Sequence, residues 1–313
     1  MGEEYMEPKV NILLATYNGE KYLKKQLDSL IAQTYKNIDI YIRDDGSTDR
    51  TVELVREYAA LCPEGKRIIF FEPDGRNLRC PGSFYEIARR CEQADYYAFC
   101  DQDDIWYPDK VAWAVERLER EKKSDLLVYY TASDYLEEDG TFIRKSPRQK
   151  ESLQLSDVLY YTPGSGFTIV FNETARRKMI LDCNPGQELH DRWMLRGAAC
   201  FGKALYDERS SAAHIRHAGA VTADDSDNGN LLKNFVKNEL LGASAKLEKH
   251  NLRYFSREYW DVLDDSERKL LKLFCRKKNT PAIWLKKVFY PKRLRQRLGG
   301  ELALRMLFVF GVL

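Results

Sequence analysis

The chain has 313 residues, 44% of them apolar, and a formal net charge of only +2. That length holds one large domain or a domain with an appendage, and the near-neutral balance excludes a general electrostatic attraction to nucleic acid. The seven cysteines, at positions 62, 80, 91, 100, 183, 200 and 275, form no Cys-x-x-Cys pair, which argues against a zinc site or a disulfide framework and for free thiols in a reducing cytoplasm.

Residues 1–7 are acidic and lack the apolar core of a signal peptide, and no run of 18 apolar residues occurs, so neither export nor a membrane-spanning helix is expected. Val10–Ala15 is an apolar run broken only by Asn11, as in a strand buried on both faces. Leu23, Leu27, Leu30 and Ile31 then recur at helical spacing. Ile38–Ile42 predicts a second strand, after which Ser47 or Thr48 is placed to cap a helix carrying Val52, Leu54, Val55 and Tyr58. Arg67–Phe71 predicts a third strand, Phe84–Cys91 a third helix and Tyr96–Cys100 a fourth strand. Pro108 opens a fourth helix with Val111, Val115 and Leu118 on one face. Four strand–helix alternations in succession argue for an α/β fold with a mostly parallel sheet. Further on, Leu126–Thr131 reads as a strand and Leu136–Ser152 as a polar loop. Asn172 is placed to cap a helix over Ala175–Ile180, and His190–Ala199 reads as another helix. Helices are also expected over Leu231–Lys249, Tyr254–Leu263 and Ser266–Lys277. This divides the chain into a catalytic-type domain over 1–222 and a helical region over 223–313.

Three polar strand ends stand out. The first strand runs into Ala15-Thr16-Tyr17-Asn18-Gly19-Glu20, the second into Arg43-Asp44-Asp45-Gly46-Ser47-Thr48-Asp49, and the fourth into Asp101-Gln102-Asp103-Asp104. In a parallel sheet all three ends share one edge, where ligands of open α/β sheets bind. Taken singly, each also reads as a turn or a helix N-cap. Together they suit a nucleotide. Asp44 is placed to accept the N3–H of a uracil or thymine ring, and Tyr17 to pack on that ring. Asp101 suits a ribose hydroxyl or a metal-bound water. Asp103 suits a cation such as Mg²⁺ or Mn²⁺ that neutralises a diphosphate. So dense an acidic cluster repels itself unless a cation or a sugar hydroxyl sits among its members.

These motifs, with His190-Asp191-Arg192-Trp193, resemble glycosyltransferase family 2, the inverting, metal-dependent GT-A class. The Asp-Gln-Asp-Asp-Ile-Trp form is most like bacterial rhamnosyltransferases that build cell-surface polysaccharides. The likeness covers roughly residues 8–222. It implies a GT-A fold, a Rossmann-like central sheet flanked by helices, here with a helical C-terminal extension. It implies a nucleotide-sugar site over Thr16, Tyr17, Asn18, Glu20, Asp44, Arg79, Asp101 and Gln102. The family's strand-end Asp-x-Asp falls on Asp101 and Asp103, and its catalytic base on Asp191. Gly164, Ser165 and Gly166 resemble the acceptor-side turn, with Trp193 either an apolar wall for the acceptor or core. His217 stands where relatives place a metal- or diphosphate-binding histidine. The surrounding His214-Ile215-Arg216-His217-Ala218-Gly219-Ala220 departs from the usual Tyr-Arg-x-His and lacks the asparagines that follow it. Arg79 stands where relatives often have glycine. The implied donor is a dTDP- or UDP-sugar, with dTDP-rhamnose the leading reading and a UDP-hexose the alternative. A sugar-nucleotide-binding protein without catalysis is a third reading, against which the intact Asp101, Asp103 and Asp191 speak.

Charge is uneven. Between Arg276 and Arg305 there are ten Lys or Arg and one acid, Glu301. Ile283, Trp284, Leu285, Val288 and Phe289 interleave with Lys286, Lys287, Lys292, Arg293, Arg295 and Arg297. Such a segment suits either an interfacial helix on an anionic leaflet or a helix packed on the domain with a basic outer face. The first reading places the protein on the cytoplasmic side of the cell membrane, at a lipid-linked glycan acceptor.

Overall fold

The computed structural model describes residues 7–63, 65–186, 188–217, 244–276 and 280–313. Among these described residues nine strands, numbered in chain order, form one sheet in the order β3-β2-β1-β4-β8-β6-β9-β5, with β7 hydrogen-bonded to β6. The first four are β1 (Val10–Thr16), β2 (Ile38–Asp44), β3 (Lys66–Phe71) and β4 (Tyr96–Cys100), and all run parallel. Between them lie α1 (Leu23–Ile31), α2 (Thr51–Ala60) and α3 (Arg79–Arg90). The expected parallel sheet ends at β4. Beyond it, β8 (Val170–Asn172) pairs antiparallel with both β4 and β6 (Leu126–Glu137). The long β9 (Gly202–Arg216) then runs parallel to β6 and antiparallel to β5 (Asp104–Trp106). The sheet is therefore mixed: β1 to β4 are all parallel, and its second half combines the parallel β6–β9 pair with antiparallel neighbours.

Side-chain alternation splits the core into two layers, one on each face. Val10, Ile12 and Leu14 of β1 pack with Leu23, Leu27 and Leu30 of α1 and with Val111, Val115 and Leu118 of α4 (Lys110–Leu118). Leu13 faces the other way, with Tyr97 and Phe99 of β4, α3 and α6 (His190–Phe201). Every β1 residue from Val10 to Leu14 is fully buried, including the polar Asn11, whose amide donates to the Glu92 carbonyl at 2.7 Å.

The C-terminal helices join this second layer. Phe255 of α7 (Ser244–Glu258), Leu271 and Phe274 of α8 (Asp265–Phe274), and Leu304, Leu307 and Phe308 of α10 (Leu298–Val309) lie in the same apolar cluster as the sheet. Between α8 and α10 stands α9 (Pro281–Val288). The expected helix over Leu231–Lys249 lies largely outside the described residues, as does the proposed boundary at 222/223.

Some expectations fail locally. Neither Ser47 nor Thr48 caps α2. That helix begins at Thr51, whose N–H and hydroxyl are both taken by Asp49. The supposed loop 136–152 contains β7 (Phe142–Lys145), folded back on β6. β9 was not expected at all.

One contact fixes the β6–β9 pairing. A Cβ at Gly202 would lie 1.9 Å from the Leu126 carbonyl oxygen, its partner in the register. Gly202→Ala is therefore expected to cost about 2 kcal/mol or more, read as a fall in the urea midpoint without a change in slope. An unchanged midpoint would mean that the strands separate there at little cost.

Candidate active site

The register sets the site. Thr16 pairs with Asp44 at the ends of β1 and β2, and Leu14 pairs with Cys100 at the end of β4. The three polar segments thus leave the sheet from one edge, as expected, and they are stitched to one another. The Thr16 hydroxyl donates to Asp44 Oδ1 at 2.9 Å, and the Ser47 hydroxyl to the same oxygen at 2.5 Å. The other oxygen, Oδ2, accepts the N–H groups of Gly46 (3.0 Å) and Ser47 (2.8 Å). Asn18, at φ 45°, accepts the Thr48 N–H at 2.8 Å through its Oδ1. Glu20 accepts the Arg50 N–H at 2.9 Å. Gln102 clasps the first loop with both ends of its amide: Tyr17 N–H donates to its Oε1 at 2.8 Å, and its Nε2 donates to the Tyr17 carbonyl at 3.0 Å. A Cβ at Gly19 would strike that amide at 2.3 Å.

So Thr16, Asn18, Glu20, Asp44 and Gln102 do come together, but their side chains hold the loops. Asp44 is 2% exposed and already accepts four hydrogen bonds, leaving little for a base. Tyr17, by contrast, is 49% exposed at the rim. Asp45, which the sequence reading passed over, accepts the N–H groups of Leu78 (2.7 Å) and Arg79 (2.6 Å) and pairs with the buried Arg43. It thereby pins the loop before α3, where Arg79 sits exposed at φ 55°, a conformation that non-glycine residues rarely adopt.

The acidic cluster lies among these loops. The Asp101 carboxyl is pushed well above its usual range, by burial first and then by the charges of Asp104, Asp103 and Asp191. Two aspartates have histidine partners, one on β9 and one just past its end. The His217 Nε2 lies 2.9 Å from Asp103 Oδ2, and the His214 Nδ1 2.8 Å from Asp104 Oδ1. The second pair follows from the register, in which Asp104 faces His214. His217 also stacks on Tyr22, ring centroids 4.3 Å apart. Below, the fully buried Lys110 donates to Ser211 at 3.1 Å, and burial lowers its pKa to about 7. The sign of this double clasp in the sequence is faint, two histidines three residues apart.

Asp191 stands in the first turn of α6 and receives the Arg192 N–H at 2.6 Å. Its charge reaches Asp101. The N-terminal end of a helix ordinarily lowers a carboxyl pKa, yet here burial prevails and raises it to about 6. Glu188, the other acid near this turn, is closed off in a buried ion pair with Arg196 at 2.5 Å. Cys80, at the start of α3, is exposed as a residue, yet its thiol is pushed up to about 12, by desolvation first and then by the charges of Asp101 and Asp191, so it lies within the field of both carboxylates.

Trp193 is not an acceptor wall. It is fully buried, its indole N–H donates to the Met179 carbonyl at 2.6 Å, and its ring packs on Tyr254, Phe255 and Tyr259. Two positions after Asp191 on a helix, a side chain points to another face, and this one enters the core. Gly164 and Gly166 are small for packing: a Cβ at 164 would meet the Tyr130 ring at 2.6 Å, and one at 166 the His190 Nε2 at 2.2 Å. Ser165 lies between them, before the short 3-10 turn Gly166–Thr168.

Among the described residues no three His, Cys, Asp or Glu side chains converge as a complete metal cage. The residues present still fit a hard cation. Asp103 and His217 offer one oxygen and one nitrogen side by side, Asp101 adds a carboxyl with no counter-charge among the described residues, and such cations commonly complete their shell with phosphate oxygens and water.

A sequence model described as glycosyl transferase family 2 matches residues 11–180, more than half of the chain. The chain belongs to this family. Among curated relatives, the dTDP-rhamnosyl transferase RfbG of Shigella flexneri is 32% identical over 196 residues, covering 58% of this chain and 63% of that protein. A glycosyltransferase of Rickettsia typhi is 31% identical over 159 residues, 50% of this chain and 47% of its own length. Both matches span less than two thirds of the relative. In structure, TarS 1–349 of S. aureus in complex with UDP-GlcNAc gives a TM-score of 0.56 at 15% identity, covering 97% of this chain and 92% of that one. The mannosyltransferase PcManGT of Pyrobaculum calidifontis, in complex with GDP-Man and Mn²⁺, gives 0.56 at 14% identity, covering 98% and 75%. These two likenesses establish the GT-A fold that the family motifs implied.

The crowded environment of Asp44 makes a specific demand. Asp44→Ala removes the acceptor for two backbone N–H groups and two hydroxyls. It should lower unfolding free energy by about 3 kcal/mol, measured by urea titration. If stability holds while nucleotide affinity collapses, Asp44 serves the ligand instead of the loops.

Proposed function

We propose that this glycosyltransferase moves L-rhamnose from dTDP-rhamnose onto a lipid-linked glycan, with inversion and with a divalent cation, in cell-surface polysaccharide synthesis at the cytoplasmic face of the membrane. The observation that carries the reaction type is the position of Asp191, a partly buried carboxylate with raised pKa at the head of α6, within the field of the Asp101–Asp103 cluster. The 32% identity to a dTDP-rhamnosyl transferase supports the donor.

In this reading the donor nucleotide lies along the loops after β1, β2 and β4, with Tyr17 and Arg79 at its rim. Asp103 and His217 would hold Mg²⁺ or Mn²⁺, which when bound would supply neutralisation of charge at the departing diphosphate. Asp191 takes the proton of an acceptor hydroxyl. That oxygen forms its bond to the anomeric carbon as the bond to the diphosphate oxygen breaks on the opposite face. The raised pKa suits the task, since a carboxylate with a pKa near 6 is a better base than one near 4 and is still ionised at pH 7. The buried Glu188–Arg196 pair leaves Asp191 as the acid that faces the cluster.

A donor panel tests the reading: nucleoside diphosphate release is measured with dTDP-, UDP- and GDP-sugars in the presence of metal. Release from dTDP-rhamnose above the others is expected, and preference for a UDP-hexose would replace the donor assignment. Asp191→Asn should lower turnover by roughly 100-fold or more while donor affinity stays near wild type. Because the base works only when ionised, wild-type kcat/KM should fall as pH drops through about 6. A flat profile down to pH 5, or an active Asn variant, would place the base elsewhere. Asp103→Ala should abolish the dependence of donor affinity on divalent metal, followed by calorimetry with and without Mn²⁺. Affinity that responds to metal as before would remove Asp103 from the cation site.

A further inference from the structure

The C-terminal region resolves the two readings of the basic segment in an unexpected way. Much of its polarity is turned inward. Lys287 is fully buried, with its Nζ directed at the Phe274 carbonyl. Arg305 donates to the carbonyls of Lys287, Val288 and Lys292, at 2.8 to 3.0 Å, and pairs with Glu301. Glu301, the one acid from Thr280 to Leu313, is itself 6% exposed and accepts the N–H groups of Leu294 and Arg295 at 2.8 Å. The segment therefore shows no acid to solvent.

What it does show is apolar. On α10, Glu301, Leu304, Leu307 and Phe308 face the domain. The opposite side carries Leu298 (58% exposed), Leu302 (59%), Met306 (43%) and Val309 (40%), recurring every three or four residues, and Phe310 (59%) continues it. This is a helix apolar on both sides with only one side covered. On α9, Leu285 is exposed, as is Phe289 just beyond it, and the Trp284 indole N–H donates to the Val309 carbonyl at 3.1 Å, fastening that helix to the end of the stripe. Lys286, Lys292, Arg293 and Arg297 are exposed around them.

An uncovered apolar stripe is costly in water and marks a docking surface. Its rim decides the partner. A surface with exposed cations, aromatic side chains and no exposed acid is complementary to an anionic bilayer. No helix among the described residues is long and apolar enough to cross a membrane, so the contact is one of lying on the surface. We infer that the outer face of α10, with α9 beside it, is the surface on which the protein sits on anionic lipid, Leu302 and Met306 entering the acyl boundary and Arg293 and Arg297 meeting the headgroups. This deepens the reading above, since it rests on an acceptor carried by a lipid, and it replaces the α9 sequence as the inserting element.

The test is co-sedimentation of the full chain with vesicles of phosphatidylcholine alone and with phosphatidylglycerol added. Wild type should bind the anionic vesicles. Leu302→Glu/Met306→Glu should lower partitioning on the order of tenfold or more, with an unchanged unfolding midpoint because both side chains are exposed. Arg293→Glu/Arg297→Glu should remove the preference for anionic lipid. Equal binding by wild type and the Leu302/Met306 variant overturns the inference. So does a wild type that ignores vesicles but loses self-association in that variant, which would make the stripe an interface between copies. Nucleoside diphosphate release from soluble donor, measured on the same samples, keeps the outcomes apart: vesicle binding without release leaves this surface standing and sinks the catalytic reading, and release without vesicle binding does the reverse.

Discussion

The constraint on which the site depends is negative charge that the fold brings together and compensates only in part. Asp101 ends a fully buried strand, and Asp103, Asp104 and Asp191 all act on it. Burial raises the cost of each charge, and proximity adds to it. A protein that only had to fold would gain by replacing one of these acids. The arrangement makes sense where an external cation and polyhydroxylated ligand supply the missing partners, which is the demand of a nucleotide-sugar reaction.

Holding such a cluster takes scaffolding. The loops after β1 and β2 are tied by Asp44, Asn18 and Glu20, and the loop after β4 is tied to the first by the Gln102 amide. From the other side, β9 brings His214 and His217 against Asp104 and Asp103. The strand that supplies these clasps depends in turn on Gly202, where a larger residue would strike β6. The chemistry is thus placed by hydrogen bonds to backbone and by register, and several residues that look like ligand contacts in the sequence spend their side chains on this work. In a cluster of like charges a loose loop would swing its carboxylates apart, so rigidity here has a direct electrostatic purpose.

The C-terminal region follows a different economy. Its helices complete the core on one face of the sheet, which takes the inner sides of α8 and α10. The single acid of the last 34 residues, Glu301, and two of their cations, Lys287 and Arg305, are spent on carbonyls and amides in and around α9 and α10. The remaining cations and one apolar stripe are left outward together. The same segment therefore both closes the domain and presents a surface.

By itself the sequence determined the parallel half of the fold. Val10–Leu14, apolar but for Asn11, and the wholly apolar Tyr96–Cys100 are both ended by polar turns, and local pattern is enough to place them and the acids after them. It also determined that Asp101, Asp103 and Asp191 belong to one site, because these motifs resemble a known family. It did not show β9. Residues 202–216 mix Lys, Asp, Glu, Arg and Ser without clean alternation, and the strand exists because β6 and β5 pair with it on either side. Only the tertiary structure decided that Trp193 is core, that Asp44 and Gln102 brace the loops, and that burial outweighs the helix end in setting the pKa of Asp191. Only it could show which cations of the last 34 residues, Thr280 to Leu313, remain outward. In each case the deciding partner is distant along the chain, and burial, charge and hydrogen bonding between distant segments are quantities that a local pattern does not contain.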